Sequence, residues 1–338
     1  MVTVGMLSHR KDPRTVFKSY AYAAAAKMEG VDFYFFSPGR VFFHDQSIEG
    51  WIYEKGQWLQ KRMPFPDVIY NSSPPITDKQ EEIVERLSAI IPFTSHSLGD
   101  KLDVYQKIKK AKVFAQYVIP FIEITKPKEV SEFLNSHREM VLKPLTGHKG
   151  QGILFVRTLG ESISVHQDKS TTLMKIEEFE LFIKQLIRDH IYLAQAFVES
   201  KTKDGLSTHL RLHVQKDGEG NWKLTSIFPC IARQGIIANL NNGGYTMLLE
   251  HFLKREFDDD YYNMKRYLEQ FSIQFTNHFD SLYHHKLDEL GIDVGLDKNH
   301  KIWIFEVNWR PGTPPTFSLE LDVAKQMIRY ARYLAEKS

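Results

Sequence analysis

Cysteine is almost absent from this chain. Cys230 is the only one in 338 residues, which excludes an internal disulfide and suits a reducing compartment. No window approaches the roughly 18 consecutive apolar residues of a membrane span, so no membrane partner is expected. The opening MVTVGMLSHR has no basic leader ahead of a long apolar stretch, which argues against a secretory signal. An excess of one charge is missing too. Lys and Arg number 44 and Asp and Glu 42, a net +2, so no strong field favours nucleic acid or an anionic surface. Internal repeats and low-complexity tails are also lacking. What remains is a cytoplasmic globular protein with 42% hydrophobic and 25% charged residues, too long for one small core and suited to two or three packed units.

The pattern along the chain starts with VTVGML (2–7), a helical run closed by Gly30, and VDFYFFS (31–37), a β-α-β order that predicts a small parallel sheet. PDVIYN (66–71) adds a central strand, and Thr77 caps a helix striped by Ile83, Val84, Leu87, Ile90 and Ile91. The first domain is placed at 1–95, the second unit at 96–198 and the third at 199–338. The second contains a helix over 99–117, the strand EMVLKPL (139–145), a glycine-rich turn, an amphipathic helix over 175–190 and the apolar strand IYLAQAFV (191–198). The third contains a hairpin over 209–228, a long helix over 258–288, a second hairpin, and a helix over 319–336. The single Cys230 falls in an apolar strand and reads as core.

The second hairpin carries the chemistry. Joining IDVGLD to IWIFEVN through KNHK, with Asp297 opposite Ile302, sets Asp293 opposite Glu306. Alternation then puts Asp293, Gly295, Asp297, Glu306 and Asn308 on one face, and Val294, Leu296, Phe305 and Val307 toward a core. Opposed carboxylates repel unless a cation lies between them, and hard oxygen ligands of this kind suit Mg²⁺ held jointly with substrate phosphates. A half-solvated hairpin with its polar side in water fits the same pattern.

Two other stretches suit phosphates. Lys143 ends a strand, and Gly147, Gly150 and Gly152 follow within nine residues, so backbone N–H groups can approach an anion closely. The Walker spacing is absent, and a β-hairpin flap over a nucleotide fits better than a phosphate loop leading into a helix. Lys101 opens a helix. Arg211, Arg233 and Arg310 enter a carboxylate-rich region and suit anionic substrate groups or a transferring phosphoryl; structural ion pairing is the competing reading.

Taken in order, GDK with Lys101, Lys143 with its glycines, the apolar strand and a D-x₁₂-E-x-N hairpin resemble the ATP-grasp superfamily. PDVIYN, LRLHVQKDGEGNW, ARQGIIANLNNGG and GIDVGLDKNHKIWIFEVNWRPG are similar to its YheC/YheD branch, described as endospore coat-associated. The resemblance implies an α/β and α+β ATP-grasp fold, with a small Rossmann-like domain ahead of two subdomains that clasp ATP. It implies that Lys101 and Lys143 contact ATP, that Gly147, Gly150 and Gly152 form the flap, and that Gln195, Ala196, Phe197 and Val198 form the adenine hinge. Asp293, Glu306 and Asn308 would bind two Mg²⁺, with Mn²⁺ a substitute. Arg211, Arg233 and Asn239 would face the γ-phosphate and the acceptor, with Arg310 nearby. His209 stands where relatives often place the acid that holds the ribose, and Glu199 is a substitute for that role. The implied reaction is ATP-dependent joining of a small-molecule or peptide carboxylate to an amine, linked to sporulation and carried out by a chain that often pairs as a homodimer. An ATP-dependent kinase and a nucleotide-binding spore-coat component without turnover remain alternatives.

Overall fold

The computed structural model describes residues 1–145, 152–167, 170–233, 243–312 and 314–338. Gly147, Gly150 and Asn239 lie outside them. Among the described residues, no helix is long and apolar enough to cross a membrane.

The first sheet contains β1 (Thr3–Leu7), β2 (Asp32–Phe36), β3 (Val41–Phe42), β4 (Ser47–Glu54), β5 (Gln57–Pro64), β6 (Val68–Asn71) and β7 (Phe93–Thr94). Strands β2, β1, β6 and β7 run parallel in that order, with helix α1 (Lys18–Met28) after β1 and α2 (Asp78–Ser88) after β6. Near-continuous apolar runs in β1 and β6 suit parallel strands covered on both faces. Thr77 caps α2 as expected, its side chain accepting from Gln80 N. The β4–β5 hairpin was not anticipated from the sequence. It closes through Lys55 and Gly56, both at positive φ (50° and 81°), as a two-residue hairpin turn requires.

Helix α3 (Lys101–Ala111) stops six residues short of the expected end, where Lys112 takes φ 68°. The second sheet then forms from β8 (Phe121–Glu123), β9 (Glu139–Pro144), β10 (Leu154–Leu159), β11 (Ser162–Gln167), β12 (Ser170–Met174) and β13 (Tyr192–Ala196). Its order is β12-β11-β10-β9-β13-β8, antiparallel throughout. Helices α4 (Pro127–His137) and α5 (Ile176–Asp189) cover one face with Val130, Leu134, Phe179 and Ile183.

The third sheet has the order β15-β14-β16-β17, from β14 (Thr208–Lys216), β15 (Trp222–Ile231), β16 (Glu289–Leu296) and β17 (Ile302–Asn308). Against it lie α6 (Leu249–Phe257) and α7 (Tyr261–Asp280). The expected helix over 258–288 is therefore shorter: α7 alone fills its middle, a separate α6 ends before it, and a tail follows Asp280. Three aspartates, Asp258–Asp260, form the break, with Asp258 at φ 45°; short acidic side chains compete for the backbone there. The far end is set by Asp280, whose carboxylate accepts from Leu287 N (2.8 Å) and Trp222 Nε1 (3.1 Å) and pairs with Lys216 Nζ (2.7 Å). Between these stops Phe271, Phe275 and Phe279 recur every fourth residue and stack in succession.

Two helices pack outside the units to which the sequence reading assigned them. Buried Leu102, Val104, Tyr105 and Ile108 of α3 join the core of the third sheet rather than that of the second. Helix α8 (Phe317–Lys337) sets Ala324, Met327, Ile328 and Ala331 into the first core, beside Val4, Met6 and Ala25.

Candidate functional site

The second and third sheets face each other across the candidate site, and each contributes side chains by alternation. On the third sheet, β14 pairs Arg211 with Asp293, and β16 pairs Asp293 with Glu306. One row thus crosses three strands with charges plus, minus, minus. Asn308 stands opposite Gly291 and next to that row.

The expected register holds at Asp293–Glu306 and shifts by one beyond it. Val294 pairs with Ile304 and Leu296 with Ile302, which leaves Phe305 as the extra residue of a bulge. Asp297 therefore does not face Ile302; it caps the turn, accepting from Asn299 N (2.8 Å) and Trp303 Nε1 (2.9 Å). Phe305, expected in the core, turns to the site face. A Cβ at Gly295 would collide with its ring. A Cβ at Gly291 would stand 2.6 Å from Pro311 Cβ and 3.2 Å from Arg211 Cδ. Gly291 and Gly295 flank Asp293 with bare backbone, so an aromatic ring and a guanidinium lie flat against the strand. The Tyr105 hydroxyl donates to Phe305 O and ties α3 to the bulge.

Asp293 is buried and held by neighbouring cations. Arg211 Nη2 donates to its Oδ2 at 2.8 Å, Nε reaches Oδ1, and His209 Nε2 lies 3.6 Å from Oδ1. Burial alone would raise the Asp293 pKa; the Arg211 charge, with His209 and the hydrogen bonds, brings it below the usual carboxylate value. Burial likewise opposes the Arg211 charge, but Asp293 outweighs it and the pKa is raised. His209 is lowered, since burial outweighs the attraction of Asp293. Asn308 Nδ2 donates to Glu306 Oε2 (3.2 Å) and Asp293 Oδ2 (3.5 Å), so one amide spans both acids.

From the other side, β9 and β13 present Lys143 and Gln195. Lys143 Nζ donates to Gln195 Oε1 at 2.6 Å, while the buried Gln195 Nε2 has no close hydrogen-bond acceptor among the described residues and faces the Tyr105 hydroxyl. Burial lowers the Lys143 pKa to about 8, against the pull of Glu306 and Asp293. Lys101 Nζ lies 3.5 Å from Glu306 Oε1. It opens α3, whose first turn is fixed by a reciprocal box: Asp103 N donates to Asp100 Oδ1 (2.9 Å) and Asp100 N to Asp103 Oδ2 (3.0 Å).

Lys101, Lys143, Gln195, Arg211, Asp293, Glu306 and Asn308 thus converge, and His209 joins them. The other named residues are placed differently. Beyond Ala196 the chain leaves the strand, and the Phe197 ring meets Phe155 edge-on at 4.8 Å; Val198 follows it. Glu199 is exposed and paired with Lys201 (2.6 Å). Arg233 is exposed at the end of β15, and Gly152 forms the turn before β10 at φ 71°. Arg310 lies at the seam with the first domain, where Nε donates to Asn71 O (2.9 Å) and the guanidinium stacks on Trp309. Burial lowers its pKa to about 10. Cys230 is buried, its thiol pushed up to about 12 by burial and by Asp293, which makes it a poor nucleophile.

The donor set fits a hard divalent cation. Two carboxylates face each other, and an amide that can present oxygen by a half-turn spans them. Among the described residues, no group of three or more His, Cys, Asp or Glu side chains gathers to hold an ion. The ion would therefore share its ligands with a bound phosphate, as Mg²⁺ commonly does. Phe305 is the site feature that sequence reasoning assigned to the core, and His209, expected at the ribose-holding position, lies 3.6 Å from Asp293 Oδ1. The glycine on either side of Asp293 was the available signal for Phe305.

A family profile described as YheC/D like ATP-grasp matches residues 90–334. The chain belongs to that family. Among curated relatives of this YheC/D-like ATP-grasp chain is the endospore coat-associated protein YheD of Bacillus subtilis, 26% identical over 327 residues, covering 90% of this chain and 70% of the relative. Among solved structures, D-alanyl-alanine synthetase A from Vibrio cholerae aligns over 100% of this chain and 99% of its own at TM-score 0.60 and 11% identity. N5-carboxyaminoimidazole synthetase from Staphylococcus aureus, complexed with ADP, aligns over 98% of this chain and 77% of its own at TM-score 0.58 and 13% identity. The fold is ATP-grasp.

Proposed function

We propose that this protein is an ATP-dependent carboxylate–amine ligase. The observation that carries the reading is the apposition across two sheets: Lys143, Gln195 and Lys101 stand against Asp293, Glu306 and Asn308. A triphosphate needs cations and a metal face together, and this gap offers both. The buried amide of Gln195 and the apolar Phe305 ring provide a donor and a flat surface for a nucleobase. Further support comes from two fold neighbours named as synthetases, one complexed with ADP.

In this reading Asp293, Glu306 and Asn308 would hold Mg²⁺, which when bound would neutralise phosphate charge. Lys101 and Lys143 bind and orient the phosphates. A substrate carboxylate attacks the γ-phosphorus; its oxygen bonds to phosphorus as the bond to the β-phosphate oxygen breaks, leaving ADP and an acyl phosphate. An amine then adds at the acyl carbon and expels phosphate, losing one proton. Positioning and charge neutralisation supply most of the rate. An amino acid or peptide is the substrate class of this reading, and the coat association in the name of the Bacillus relative supports a place in spore formation.

The test is a screen of amino acids and peptides for ADP release that depends on an added amine, followed by the mass of the product. Amine-dependent ADP and an amide product are expected. ADP with a stable phosphorylated acceptor would make the protein a kinase, and ATP binding without turnover in any mixture would refute the ligase reading.

A further inference from the structure

At the carboxyl ends of β1 and β2 the surface opens into a cleft of about 370 Å³, lined by His9, Lys11, Arg40, Thr77, Lys79 and Gln80 over Pro38 and Ile83. Among the described residues, no Asp or Glu lines it. Arg40 is bonded to Glu49, outside the cleft, whereas Lys11 and Lys79 make no ion pair among the described residues. His9 Nδ1 is buried and has no hydrogen-bond partner among the described residues; burial first, and then Arg10, lowers the pKa of the ring. Open parallel sheets receive ligands in the crevice beyond their strand ends, and here the loops after β1 and β2 meet the first turn of α2.

The segment after β6 connects the loop of the cleft to the chain that follows Asn308. His9 N donates to Ser73 Oγ (2.8 Å) and Ser72 N to Leu7 O (3.1 Å). On the other side of the same segment, Asn71 O accepts from Arg310 Nε (2.9 Å), two residues beyond Asn308. Residues 71–73 are thus bonded on one side to the loop that carries His9 and on the other to Arg310.

We propose that this cleft binds a small oxyanion, the phosphate or carboxylate at the remote end of the acid or amine substrate. The identity of the ligand rests on the ligase reading; oxyanion binding in the cleft does not require ATP. The test titrates the nucleotide-free full chain with inorganic phosphate and, separately, succinate, by calorimetry and amide NMR shifts. Saturable binding in the millimolar range is expected, with shifts at His9, Lys11 and Lys79. Lys11→Ala/Lys79→Ala should weaken it at least tenfold, while the charge-matched Lys27→Ala/Lys128→Ala leaves it unchanged and neither pair alters ATP affinity. Tighter phosphate points to a phosphorylated substrate, and tighter succinate to a dicarboxylate. No saturable binding, or equal binding by the Lys11/Lys79 variant, overturns the assignment. Oxyanion binding in a chain that fails to bind ATP would leave the cleft standing and remove the ligase reading.

Discussion

Lys143 sits at the edge of losing its proton, and that makes ATP affinity a function of pH. Its pKa is held at about 8 by burial, and a triphosphate favours the charged form. Affinity should be steady below pH 8 and fall as pH rises, by about tenfold per unit until the pKa of the bound state is reached. Binding above pH 8 should take up a proton, which calorimetry in buffers of different ionisation enthalpy measures directly. Lys143→Gln should bind ATP weakly and without this slope. Glu306→Gln should cut Mg²⁺-dependent turnover at least a hundredfold and leave the urea midpoint unchanged, because Glu306 touches Lys101 and Asn308 rather than the core; unaltered turnover would remove it from the site. Asp293, Glu306 and Asn308 were legible because period-two alternation is local. The Arg211 fork on Asp293 was not, because β14 and β16 pair across some eighty residues and no local pattern sets that register.

At the scale of elements, the bulge at Phe305 decides what the site looks like. Gly295→Ala should push the Phe305 ring off the strand, at a cost of about 1–3 kcal/mol for overpacking, read by urea unfolding, and should weaken ATP binding as the ring shifts. Full stability with native affinity would show that the ring does not lie on Gly295. An added residue in one strand leaves the alternation intact on each side of it, which is why the sequence placed Phe305 on the wrong face. The β4–β5 hairpin escaped notice for a related reason: Lys-Gly lacks the Asn-Gly or Asp-Gly signature, yet Lys55 takes the same left-handed backbone. The long helix was over-read because the aromatic stripe of α7 continues in phase past Asp280, with Tyr283 four residues beyond Phe279 and packed edge-on against it.

The whole molecule is tied together by helices that leave their neighbours in sequence. Ile328 of α8 is fully buried in the first core, so Ile328→Ala should destabilise the chain by about 2–5 kcal/mol and lower the unfolding midpoint of the first sheet and α8 together. Loss confined to the third sheet would contradict that packing. Both pairings were out of reach of the sequence, since an amphipathic stripe declares that a helix is covered but not by what.

That closure has a bearing on synthesis. The first sheet leaves the ribosome early, with the groove beside α1 bare, and the helix that fills it is made only after both ATP-grasp halves have emerged. A domain made before the ATP-grasp halves is therefore finished after them, and a nascent chain stalled before Phe317 would present that apolar groove to chaperones.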